Sequence, residues 1–151
     1  MTLRASVLAA VGAPAISLAV IAAPSFFRRS WRENWVGIFT QAGLLASFGA
    51  LLIAVMFEVI AGGAPAVFSL GGGWITGGAF AFDLLVDGWS LGFAVLTVVI
   101  CGVVSAFSFR YLHQEPGFNR YFILLLAFVI GLLLISFAGS IEVLYAGWEI
   151  L

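Results

Sequence analysis

Residues 121–138 read YFILLLAFVIGLLLISFA, an apolar run without a single charge. A transmembrane helix needs about 20 mostly apolar residues to cross about 30 Å of hydrocarbon, and this run nearly fills that length. Three stretches of the same kind precede it, at about 5–23, 36–62 and 90–111, and a fifth occupies about 140–151. A membrane barrel would instead show short segments of alternating polarity. Helices close their backbone hydrogen bonds within the segment, as lipid requires. The expected fold is therefore an all-α transmembrane helix bundle: one membrane domain over 1–151, with four complete helices and a truncated fifth.

Composition agrees. Apolar residues make up 64% of the chain and charged residues 9%, with a mean hydropathy of +1.21. Too little polar surface exists to cover a soluble globule. The six arginines and seven acids give a net charge of -1, and they are spread over short segments, so no basic face suits nucleic acid. There is no lysine. Cys101 is the one cysteine, which excludes an intramolecular disulfide and a cysteine-built metal site; it reads as a buried packing residue.

The first segment, preceded by Arg4, has the outline of a cleavable leader. It is followed at once by FFRRSWREN (26–34), which places three arginines after the apolar run against one before it. Positive charge stays on the cytoplasmic side, so the segment reads as an uncleaved helix, with Pro14 tolerable inside it. Arg28, Arg29 and Arg32 fall in the first loop, Arg110 and Arg120 flank the third, and the loop at about 63–88 has no arginine. This predicts an N-terminus outside and a multi-pass protein of the inner (cell) membrane. Trp31, Trp35, Trp74, Trp89 and Tyr111 fall where an aromatic belt would lie.

The outer loop, SLGGGWITGGAFAFDLLVDGWSL (69–91), alternates aromatic and aliphatic residues with small ones after its glycines, and predicts a short surface hairpin. No lysine or helix-opening G-x-G-x-x-G follows, so a phosphate cradle is not read there. The last segment begins near Ser140, which suits an N-cap, with Glu142 in its first turn, where the helix dipole accounts for an acid and proton entry is the weaker alternative. At 1.5 Å per residue, Glu149 falls roughly 14 Å below that start, near mid-membrane. An ionised group at that depth costs about 3 kcal/mol on insertion scales, so it persists facing a hydrated or paired bundle interior. A carboxyl held between loss of water and a nearby cation can load and release a proton.

Taken in order, Trp74 with its hairpin, DGWSL (87–91), RYLHQEPGFNRYF (110–122), a helix ending in AG (138–139) and LYAGWE (144–149) resemble the N-terminal region of the antiporter-like subunits of complex I, the chain 5 or subunit L superfamily of NADH:quinone oxidoreductase. The resemblance covers about 73–151. It implies that Glu149 of GWE, beside Trp148, is the mid-membrane acid that pairs with a lysine on a later helix and takes part in proton translocation. It makes Asp87, which opens the third helix, and residues 115–121 architectural.

The implied partners are the lipid bilayer, other membrane subunits of a multisubunit complex, and the remainder of the subunit or another chain that supplies the lysine. The expectation is thus an N-terminal fragment of a longer proton-translocating subunit. Sodium/proton antiporters, membrane hydrogenases and inorganic-carbon uptake systems share the same subunit, and a non-transporting structural protein is the remaining alternative. No haem-ligand pair, flavin or nucleotide motif, or nucleophile with a base is visible, so no cofactor, metal or catalytic centre is expected in this chain. Among the other ionisable residues, Glu58 reads as an interfacial acid reaching the headgroups, His113 as a solvated turn residue, and Asp83 with Asp87 as too sparse for a metal.

Overall fold

The computed structural model describes residues 2–26, 31–72 and 81–151; Arg28, Arg29 and Trp74 lie outside them. The elements are α1 (Leu3–Phe26), α2 (Glu33–Ile60), β1 (Ala66–Gly72), β2 (Ala81–Val86), α3 (Gly88–Tyr111), α4 (Phe118–Ser136) and α5 (Ile141–Ile150). Helices α1 to α4 are long and apolar enough to cross a membrane. The chain is an integral, multi-pass membrane protein. Its 28-residue α2 extends about 42 Å, longer than the hydrocarbon layer.

Successive helices run antiparallel, so the bundle has a hairpin end, carrying β1 and β2, and a turn end, carrying the α3–α4 connection. Cross-helix pairs fix the registers. Ser47 of α2 meets Ala10 of α1, Gln41 meets Ser105 of α3, and Ser108 of α3 meets Tyr121 of α4. Leu51, Val98, Leu126 and Leu133 are buried between the helices. Large apolar side chains such as Ile16, Met56, Val103 and Phe107 point outward, as a lipid-facing surface allows.

Two prolines lie inside α1, Pro14 and Pro24. A proline has no backbone N–H, so each leaves the carbonyl four residues earlier without its helical donor. Those carbonyls belong to Ala10 and Val20. The Ser47 hydroxyl donates to Ala10 O at 2.6 Å, and the Trp31 indole N–H donates to Val20 O at 3.0 Å. Donors from outside α1 therefore satisfy both groups that the prolines orphan, as an apolar setting demands.

The hairpin is antiparallel, with Val67 opposite Leu85 and Ser69 opposite Asp83, and an irregularity between Ser69 and Gly72. Its second strand does not end in solvent. Leu85 N–H donates to Phe137 O at 2.9 Å and Gly139 N–H to Asp83 O at 2.9 Å, tying β2 to the α4–α5 connection. A Cβ on Gly139 would stand 2.9 Å from both Asp83 O and Leu85 N, so only glycine permits the approach. Directly after β2, Asp87 starts α3 with a capping box. Its Oδ1 accepts from Ser90 N–H at 2.7 Å while its own N–H donates to Ser90 Oγ at 2.8 Å.

Candidate functional site on the fifth helix

α5 packs on α4 and on β2. Its position against α4 is set by two glycines: a Cβ on Gly147 would lie 2.9 Å from Gly131 O, and one on Gly131 would lie 2.9 Å from Gly147 O. Small residues let membrane helices approach backbone to backbone in this way. Val143, one turn before Gly147, is fully buried on the same face.

That contact determines where Glu149 points. With 3.6 residues per turn, Glu149 lies about 200° around the helix from Gly147, on the side away from α4. Tyr145 and Glu142 share that side, at helical spacing. Glu149 is exposed, Tyr145 is 66% exposed and Glu142 is half-buried. Trp148 projects from the flank and is 72% exposed. Glu149 stands eight residues beyond Ile141, roughly 12 Å along the axis. The fifth helix thus presents two carboxyls and a phenol on the side opposite its glycine contact with α4.

Two acids are placed differently from what the sequence suggests. Glu58 does not reach the headgroups. It is 5% exposed, and both carboxyl oxygens are covered without a hydrogen-bond partner among the described residues. Its distance from the helix end allows snorkelling, but its phase does not: Ser47, Leu51, Ala54 and Glu58 form one stripe that faces the bundle. The 4-3-4 spacing was readable in the sequence.

His113 is not merely solvated. Its Nδ1 lies 2.6 Å from Glu33 Oε2, and Gln114 N–H donates to Glu33 Oε1 at 3.0 Å. Gln114 has a left-handed φ of 66°, a conformation that side chains other than Asn, Asp and Gly seldom take. Glu33, in the first turn of α2, therefore holds the α3–α4 turn. Nothing in the local sequence links positions 80 residues apart.

Sequence comparison with known proteins finds relatives of this chain. The family described as NADH-Ubiquinone oxidoreductase (complex I), chain 5 N-terminus, matches residues 74–122. NADH-ubiquinone oxidoreductase chain 5 of Mammuthus primigenius is 36% identical over 64 residues, covering 42% of this chain and 11% of the relative. The chain 5 protein of Paramecium tetraurelia is 27% identical over 70 residues, covering 46% and 12%. A probable K(+)/H(+) antiporter subunit from Rhizobium meliloti (strain 1021) is 30% identical over 117 residues, covering 73% and 12%.

These matches support the class of antiporter-like membrane subunits. Within it, the chain is similar to the N-terminal region of the subunits typified by complex I chain 5. It spans 11–12% of the length of these relatives.

Proposed function

We propose that this chain is the N-terminal segment of a proton-translocating membrane subunit of an NADH:quinone oxidoreductase-type complex, with Glu149 as its mid-membrane relay carboxyl. The observation that carries the reading is the acid-bearing face of α5. Glu142 and Glu149 share one stripe, seven residues and about 10 Å apart, turned away from α4. An acid on such a face in the membrane needs a polar partner. The chain contains no lysine, and in this reading the partner lysine is carried by a segment or subunit that packs on this face. Glu142, nearer the hairpin end, is the proposed proton donor or acceptor on the water side of Glu149.

In this reading the hairpin end faces outward and the turn end, with Arg32, Arg110 and Arg120, faces the cytoplasm; the positive-inside rule supports that orientation. The test is Glu149→Gln in the complete complex, with proton uptake into inverted vesicles followed by a pH-sensitive dye during electron transfer. Translocation is expected to fall by about 10²-fold or more, the usual scale for loss of one proton-transfer group being about 10²–10⁴. Unchanged translocation sinks the reading.

The antiporter relative, similar over 73% of this chain, favours a second reading: membership of a multisubunit cation/proton antiporter that uses the same acid. Cation-driven proton exchange without electron transfer in vesicles holding the complete complex separates the two.

A further inference from the structure

We propose that the furrow between α2 and α3 holds one acyl chain of an anionic phospholipid from the leaflet at the turn end, with Arg110 and Asn34 binding its phosphate. Two hollows on this side of the bundle share Gln41 and Ala106, which makes them one continuous furrow. Asn34, Gln41 and Phe48 line it at steps of seven along α2, and Val99 and Ala106 along α3, so each helix contributes a single face. The part nearer the turn end has a volume of about 490 Å³, within the range of sites that hold small organic molecules, about 300–1,000 Å³. Its middle is open: a Cβ on Gly102 would meet nothing within 4 Å.

The length of the furrow favours a lipid chain over a partner helix. From Asn34 to Phe48 it runs about 21 Å along α2, enough for one leaflet of hydrocarbon, about 15 Å, and its headgroup region. Its lining ends at Phe48 and Val98, whereas α2 continues to Ile60, roughly 18 Å further. A transmembrane partner would need a track of full depth. The one polar group midway is tied to the wall, since the Gln41 amide donates to Ser105 Oγ at 3.1 Å.

Charge at the mouth selects the headgroup. Arg110 lies one turn beyond Ala106 and eleven residues from Val99, on the same face of α3. The Gln41–Ser105 contact fixes the antiparallel register, which places Asn34 level with residue 112 and so within about 3 Å of Arg110 along the axis. Both residues are exposed. The neighbouring acid, Glu33, is engaged by His113 and Gln114, and that is the ion pair found among the described residues. Arg110 therefore keeps its guanidinium for an outside anion. Its planar fork suits phosphate oxygens, and the Asn34 amide adds a neutral donor.

Native mass spectrometry of the full chain in mild detergent, titrated with phosphatidylglycerol or phosphatidylcholine, tests this. The wild type is expected to retain one phosphatidylglycerol in preference to phosphatidylcholine. Arg110→Gln should weaken that adduct about fivefold, the scale of one arginine on an anionic headgroup, and leave phosphatidylcholine unaffected. Gly102→Leu, which fills the furrow, should abolish retention while Arg110 stays in place. Equal retention of the two lipids by the wild type overturns the proposal. So does unchanged phosphatidylglycerol binding in Gly102→Leu, which would reduce Arg110 to a general surface contact. A dimer that Gly102→Leu dissolves, in place of a lipid adduct, also overturns it and assigns the furrow to a second copy. A thermal melt checks folding, and Val99→Phe, which fills the same furrow, replaces Gly102→Leu if the latter unfolds.

Discussion

Glu58 and Glu149 are both carboxyls on apolar helices, yet α2 encloses one while α5 displays the other. Helical phase makes the difference. Glu58 continues the buried stripe of Ser47, Leu51 and Ala54, whereas Glu149 falls opposite the Gly131–Gly147 contact. Glu58 is enclosed by the described residues of this chain, whereas Glu149 is exposed. Hydropathy and depth along a helix do not distinguish these cases; the face does.

The largest expected effect comes from breaking the contact that orients Glu149. Gly147→Leu drives a side chain into Gly131 O and Ile135, and overpacking of this kind costs about 3 kcal/mol. Thermal unfolding in detergent should show the loss, and protease should cut at α5 first. The next test sets the two acids against each other. Glu58→Leu removes two buried, unpartnered oxygens, each such group costing about 1–3 kcal/mol, so the melting temperature should rise. Glu149→Leu should leave it unchanged in the isolated chain. A fall for Glu58→Leu would mean that the carboxyl has a partner and that the contrast is false.

Smaller effects sharpen the comparison between satisfied and unsatisfied polar groups. Ser47→Ala strips the donor from Ala10 O and should destabilise by about 1 kcal/mol, read from the same melts. Glu33→Gln weakens the hold on His113, whose side chain is 64% exposed. Such exposed contacts contribute about 1 kcal/mol or less, so a small downward shift in the same melts is expected.

Much of this fold was legible in the chain. The four spans stand out by length and apolarity, and the hairpin by alternation. Asp87 followed by Ser90 at the start of an apolar run signals the cap that forms. What escaped was tertiary. The tie between β2 and residues 137–139 joins segments whose sequences show no link, and the Glu33 clamp depends on two helix ends meeting. Glu58 escaped because its position near a helix end suggested water, although its spacing from Leu51 and Ala54 already placed it inward. For Glu149, the resemblance suggested a role, while its direction required knowing that Gly147 faces α4.

The two prolines of α1 also bear on how the bundle assembles. Until α2 and the Trp31 segment arrive, Ala10 and Val20 carry acceptors without donors in a solvent that offers none. These acceptors are ten residues, about 15 Å, apart along the helix, and Ser47 and Trp31 meet both in the observed alignment. The prolines thus act as a ruler: sliding α1 by one turn against α2 would leave both carbonyls empty. Pairing of the first two helices is therefore a self-checking step that fixes the axial alignment on which later helices are laid.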